Sequence, residues 1–541
     1  MRFRDNHIAD FIIQPRTLWI SFLAIIVGAV GAFIALLLTK LIGFFTNLFF
    51  YQRLSFEFVP AYPNHLGVVV IFVPVIGGLI IGLMARYGSD KIRGHGIPEA
   101  MESILIGKSI VQPKVALLKP ISSAISIGSG GPFGAEGPII MTGSAFGSIF
   151  AQFFHVTASE RKILLLSGAA AGMCATFNAP LASILFVIEL LAFEMRLRCV
   201  VPVSLASGVA AFIRISFFGT GPMFPSLAKP LNNGNELLIA VGFGVIGAIL
   251  AYLLTKMIYG VEDLFEKLPF HWMWFPAIGA IAIGIGGYFV PQALGVGYDS
   301  IRNLVTGQFV LKMAISFLLV KTFIWVIALG SGTSGGILAP LLIIGGTSGD
   351  ILASVFHAND PAVWAILGMA ATFGGVTRSP FTTVVFIFEL THNIEMLLPS
   401  IITCAVAAGI SAIILPRSIL TEKIARRGRH INRDYMVDPI EMQSVSTIMV
   451  PVGKMGKQSS DMPSVHASIT TRQAVEVMME NRCKTLKVIN KNSKQIIGFI
   501  TLESLFKGRN QHIEEEYKIE RIINLKRKNN RTVENSDVET T

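Results

Sequence analysis

From Thr17 to Leu415 the chain alternates long apolar runs with short polar breaks. Many runs approach the roughly 20 residues that a helix needs to cross a bilayer. Others are shorter and interrupted by Gly or Pro. Lipid satisfies no backbone N–H or C=O, so a lipid-exposed open sheet is excluded and the pattern predicts an all-α polytopic membrane protein. The first run starts near Thr17 and continues past Lys40, with no small-residue cleavage site after a short apolar core. It reads as an anchor rather than a removed signal. After Pro416 the pattern changes. ILTEKIARRGRH (419–430) reads as a basic helix leaving the bilayer, and 431–443 as a linker. VSTIMV (445–450), a helix over 469–482, strands over 485–490 and 495–501 and a helix over 502–506 predict a small α/β module spanning 444–507. The charged tail, 508–541, reads as partly disordered.

Two of the breaks have the same construction. GSGGPFGAEGP (128–138) and GSGTSGGILAP (330–340) are Gly-rich, end in Pro and launch apolar segments. Gly permits the turn and Pro is pre-organised for the first helical turn, so each predicts a chain break followed by a helix start. A helix N-terminus offers unpaired N–H groups and the positive end of a dipole, which suits an anion. The first break carries one carboxylate, Glu136, in an apolar neighbourhood. A third break, GHGIPEA (94–100), is of the same kind. LSGAAAGMCATFNAPLASILFVIEL (166–190) also aligns with LGMAATFGGVTRSPFTTVVFIFEL (367–390), with Gly168, Pro180 and Glu189 matching Gly368, Pro380 and Glu389. The membrane part is therefore an internal repeat, with halves at about 17–218 and 235–415 joined through LNNGNE (231–236). With both termini on one side, an odd number of crossings per half makes the repeats inverted. Inverted repeats place discontinuous helices and a substrate site near the midplane.

Charge adds orientation. The net charge is +11, and 22 of the 45 Lys and Arg residues lie from Arg417 onward. That bias places the C-terminal region in the cytoplasm, and Arg2, Arg4 and Arg16 do the same for the short segment 1–16. The basic residues are interleaved with acids and lack an aromatic platform, so nucleic acid is not an expected partner. Four scattered cysteines form neither a disulfide framework nor a metal site. A membrane-embedded hydrolase would need paired acids, a Ser/His arrangement or a metal cluster. HExxH and matched aspartates are missing, and His95 has no nearby sequence partner, so an enzyme is not expected.

The three breaks and the repeat together resemble the CLC family of chloride channels and proton-coupled chloride transporters, over about Trp19 to Gly428. The resemblance implies an all-helical homodimer with one anion pore per subunit and 17–428 as the membrane domain. It implies that Glu136 is the gating glutamate; on the residues alone, a helix-capping acid is the alternative. Chloride would be bound by the backbone of Ile337 and Leu338, where a Gly-rich packing contact is the alternative, and by His95, Gly96, Ile97, Glu136 and Gly137. Several positions depart from the family pattern. His95 stands for the usual serine, and its ring faces either the anion or a carbonyl or water. Leu420 replaces a tyrosine at the anion site, Leu338 replaces a phenylalanine, and Ala135 replaces an arginine. Leu190 replaces the glutamate of proton-coupled members. Glu189 is left as a possible proton relay, although its match to Glu389 favours a structural role for both. Glu99, just inside a helix start, reads as a dipole-compensating acid.

The 444–507 module resembles a single CBS domain, which would meet its counterpart across the homodimer. Ser504 stands where an acid usually holds a ribose. Adenine-nucleotide binding thus stays open, a structural role is at least as well favoured, and no cofactor is required. The expectation is a multi-pass plasma-membrane chloride permease with both termini cytoplasmic, favoured as a glutamate-gated channel. A proton/chloride antiporter is the alternative. A fluoride exporter and a membrane sensor with CBS output are weaker ones.

Overall fold

The structure, a computed structural model, describes residues 15–229, 235–309, 311–429, 444–452, 462–490 and 495–508, with single residues 493 and 518. Among the described residues eight helices are long and apolar enough to cross a membrane. The first half comprises α1 (Arg16–Tyr51), α2 (Phe72–Tyr87), α3 (Ile97–Leu105), α4 (Pro113–Gly128), α5 (Glu136–Gln152), α6 (Ala158–Phe177), α7 (Pro180–Phe186) and α8 (Leu197–Phe218). The second half repeats the series with α9 (Asn235–Glu266), α10 (Phe275–Phe289), α11 (Tyr298–Val305), α12 (Leu311–Gly330), α13 (Leu338–Val355), α14 (Pro361–Thr377), α15 (Pro380–Thr391) and α16 (Leu397–Ile414). The two series of eight helices run over 16–218 and 235–414. The first helix has 36 residues. At 1.5 Å per residue it is roughly 54 Å long and must tilt or project beyond the hydrocarbon.

Association of helices in lipid relies on close packing rather than on expulsion of water, which favours small residues at contacts. The repeat uses this twice. A Cβ at Gly143 of α5 would strike the carbonyl of Gly168 of α6, and one at Gly168 would strike that of Gly143. Gly345 of α13 and Gly368 of α14 stand in the same relation.

The two halves also exchange helix caps. Pro180 opens α7, and the N–H groups of Leu181 and Ala182 donate to the two carboxylate oxygens of Glu389, on α15, at 3.0 and 2.7 Å. Pro380 opens α15, and Thr382 donates from its N–H and its hydroxyl to one oxygen of Glu189 at 2.8 and 2.6 Å. Glu189 lies on a π turn, Val187–Ala192, that continues α7. Each carboxylate supplies the acceptor that a first helical turn lacks within its own helix.

After α16 comes α17 (Ile419–Arg426), capped by Ser418 and Thr421. It stops short of the expected 419–430, and Gly428 follows with φ of 78°. The linker 431–443 lies outside the described residues, as does the tail from 509 apart from residue 518. The C-terminal region is a small α/β unit, in keeping with the expected fold class. Its four-stranded sheet has the order β1-β4-β3-β2, with β1 Val450–Pro451, β2 Ser464–His466, β3 Thr485–Ile489 and β4 Ile496–Thr501. A helix, Thr471–Glu480, contributes Ala474 and Met478 to a core with Leu486, Val488 and Ile500. The short strand β2, which runs parallel to β3, is not visible in the sequence pattern, because three residues with polar ends carry no alternation signal. Val445–Ile448 is a short helix and only Val450–Pro451 of that segment is strand.

The exchanged caps generate a stability prediction. Glu389→Ala leaves two first-turn N–H groups of α7 without an acceptor, at a cost of about 1–3 kcal/mol each. The unfolding midpoint of the detergent-solubilised protein should fall in Glu389→Ala, and by less in Thr382→Val, where the backbone donor to Glu189 survives.

Candidate anion pathway

The three Gly-rich breaks are stitched together by their own backbones. Gly94 bridges Ser334, and the Gly335 N–H donates to the Gly94 carbonyl at 3.4 Å. Gly134 and Gly336 exchange N–H···O bonds of 3.2 and 2.8 Å. This brings the N-terminal ends of α3, α5 and α13 to one place. The first N–H groups of each helix have no intrahelical acceptor and add their dipoles there. The approach is close: a Cβ on Gly137 would run into the carbonyl of His95 and come within 3.2 Å of the Gly336 Cα. Gly96, the residue before α3, sits at φ 87°, where a side chain is strained.

Glu136, the first residue of α5, is fully buried. The backbone N–H groups of Glu136 itself and of Ala339, in the first turn of α13, are directed at its carboxylate. The Tyr298 hydroxyl lies 3.5 Å from Oε1. Among the described residues Oε2 has no protein partner, although a Cβ on Gly336 would sit 2.9 Å from it. The carboxylate thus spans from the start of α5 to the start of α13. Besides the amide of its own helix, an amide of the other half is aimed at it.

On the α3 side His95 is buried, and among the described residues neither ring nitrogen has a protein partner, a backbone carbonyl included. Glu99, one helical turn on, accepts from Arg427 at 2.8 Å with one oxygen and, among the described residues, has no partner for the other. Arg427 also holds Glu102 at 2.6 Å, and Arg429 pairs with Glu102. These contacts tie the end of α17 to α3, so Glu99 does more than compensate a dipole. Leu420 of α17 is fully buried and offers no donor. Behind the breaks stand two buried lysines. Lys119 of α4 donates to the carbonyls of Ile92 and Gly94 at 2.8 and 2.7 Å. Lys321 of α12 donates to those of Ala293 and Gly295 at 2.9 Å each. They occupy equivalent places in the two halves and put an ammonium group under the chain that leads into α3 and into α11.

Of the expected residues, the structure brings together His95, Gly96, Ile97, Glu136, Gly137, Ile337 and Leu338, and α17 with Leu420 packs against α3. Glu189 is apart from this cluster, engaged by Thr382. Sequence reasoning missed Tyr298, Ala339 and the lysine pair. The repeat carried a signal for them: Gly96-Ile97 and Gly297-Tyr298 correspond, as do Lys119 and Lys321. A helix of the second half opens at Tyr298 after a glycine at φ 80°, as α3 opens after Gly96.

Known proteins carry the same framework. The family model for the voltage gated chloride channel matches residues 77–412, so the chain belongs to the CLC family. A Ralstonia nicotianae protein with the provisional name of a ClcB-like chloride channel is 27% identical over 344 residues, covering 62% of this chain and 80% of its own. An H(+)/Cl(−) exchange transporter, ClcA, of Yersinia pestis is 30% identical over 363 residues, covering 64% of this chain and 74% of its own. Among solved structures, a slow cyanobacterial Cl−/H+ antiporter superposes with a TM-score of 0.67 at 24% identity, covering 77% of this chain and 98% of its own. A CLC-type fluoride/proton antiporter gives 0.62 at 20% identity over 74% and 97%. The chain is thus a membrane protein of a transporter and channel family, with the inverted-repeat CLC fold.

The tight crossing at Gly137 sets a steric prediction. Gly137→Ala pushes a methyl group against the His95 carbonyl and parts α3 from α5. Chloride efflux from proteoliposomes should fall by about tenfold or more, the equivalent of at least about 1.4 kcal/mol. The protein should keep its elution position on size exclusion.

Proposed function

We propose that this chain is a homodimeric chloride permease of the plasma membrane, gated by Glu136 and working as a channel. The observation that carries the reading is the carboxylate of Glu136, buried at the joined N-termini of α5 and α13 with N–H groups of both helices directed at it. An ionised carboxylate there competes with the permeating anion for the same donors. Protonation removes its charge and its claim on them, and chloride takes the place. His95, Gly96, Ile97, Gly137, Ile337 and Leu338 surround the path, with His95 presenting ring nitrogens that no protein group among the described residues uses. Leu420 closes one side with an apolar wall.

Two features favour passive conduction. Leu190 is fully buried and cannot carry a proton. Glu189 beside it is occupied by Thr382 as a helix cap. The competing reading, proton/chloride exchange, is supported by relatives that are exchange transporters, such as the Yersinia pestis ClcA. We further propose that both termini are cytoplasmic and that the α/β unit after α17 is a single CBS-like module paired across the homodimer. Adenine nucleotide is a doubtful ligand there, because Ser504 donates to the Thr501 carbonyl at 2.9 Å instead of offering an acid.

Two measurements test this. In proteoliposomes Glu136→Gln, a mimic of the protonated gate, should conduct and lose most of its dependence on outside pH; wild-type pH dependence in the mutant removes Glu136 from the gate. An imposed chloride gradient should drive little uphill proton movement in the wild-type protein. Robust pumping would overturn the channel reading and leave the permease reading intact.

A further inference from the structure

The phenol of Tyr298 is held from several directions, yet among the described residues its hydroxyl has one partner. The ring stacks on Phe58 at 6.0 Å between centroids and packs against Phe224 at 5.9 Å. Phe224 is itself anchored, its N–H donating to the Leu390 carbonyl of α15 at 2.9 Å. Just upstream, Lys321 fixes the carbonyls of Ala293 and Gly295, and Gly297 turns the chain into α11 at φ 80°. Packing alone would accept phenylalanine at this position. The hydroxyl instead points at Glu136 Oε1, 3.5 Å away. Beyond the ring lies a cavity of about 370 Å³ lined by Phe58, Pro60, Asn303 and Phe309, so the ring is not there to fill the last available space.

The groups that face the Glu136 carboxylate can be named element by element. They are its own N–H on α5, the Ala339 N–H on α13 and the Tyr298 hydroxyl on α11. From α3 comes His95, whose carbonyl meets Gly137. Tyr298 is thus the side-chain donor available to the gate.

We infer that Tyr298 is a positioning residue for the gate: its hydroxyl steadies the ionised Glu136 carboxylate in the anion site and so sets the outside pH at which the gate lets go. The inference rests on the reading of Glu136 as the gate. A hydrogen bond donated to a charged acceptor favours the charged form, and a protonated carboxyl is a poorer acceptor. At 3.5 Å the bond is long, and its effect is correspondingly modest. Without the hydroxyl, less acid is needed to release the gate.

The test is the outside-pH profile of chloride flux in proteoliposomes for wild type, Tyr298→Phe, Glu136→Gln and the double variant. Tyr298→Phe keeps the ring and its packing. The midpoint of acid activation should move to higher pH by about 0.5 unit. In the Glu136→Gln background the same change should move nothing. An unmoved midpoint, or one displaced to lower pH, overturns the inference while the gate reading stands. So does an equal displacement with and without Glu136, because the hydroxyl would then act elsewhere. If Glu136→Gln alone keeps the wild-type profile, the gate reading fails and this inference falls with it. That outcome is recognised from the single variant without reference to Tyr298.

Discussion

Interrupting a helix inside a bilayer leaves several N–H groups with no carbonyl and no water to take them. The architecture of this protein follows from that constraint. At α3, α5 and α13 the orphaned groups are gathered at one point, where Gly94, Gly134, Gly335 and Gly336 let the backbones touch. At α7 and α15 the orphaned groups are answered by buried carboxylates. The same physical deficit is thus handled in two ways. Where the acceptor is permanent, as with Glu189 and Glu389, the result is a joint. Where it is Glu136, the acceptor is the side chain that we propose an anion replaces, and the result is the proposed place of passage.

Charge follows the same division. Lys119 and Lys321 are buried and bind carbonyl oxygens rather than carboxylates. An ammonium so placed would be costly on its own. Here each is answered by two carbonyls of the chain that leads into α3 or into α11. The acids near the path are tied elsewhere: Glu99 and Glu102 are held by Arg427 and Arg429. Those arginines follow directly on α17, whose Leu420 borders the proposed path.

Much of this was legible in the sequence. The pairing of Gly with Pro at 94–98, 134–138 and 335–340 announced helix starts, and the match of Pro180–Glu189 to Pro380–Glu389 announced the repeat. Both are local patterns of backbone preference, which survive in a string of letters. The recipients of the two glutamates were not legible. Correspondence between Glu189 and Glu389 says that they do the same thing, and leaves open that each does it for the other half. Tyr298 was hidden for a related reason. It lies 162 residues from Glu136, and its own surroundings, GVGYDS, look like an ordinary turn into a helix. The sequence also gave no cue that both ring nitrogens of His95 would be left without a protein partner.

The exchange of caps between α7 and α15 has a consequence for biosynthesis. The acceptor for the N–H groups at the start of α7 is encoded 208 residues later, in Glu389. At ordinary elongation rates that interval is roughly 10 to 40 s, during which α7 waits in or beside the translocation machinery with its first turn incomplete. The first eight helices therefore form a scaffold that is finished only when the last third of the membrane domain has been threaded in. In this protein the order of synthesis and the order of completion differ, and the newborn first half depends on its surroundings until the second arrives.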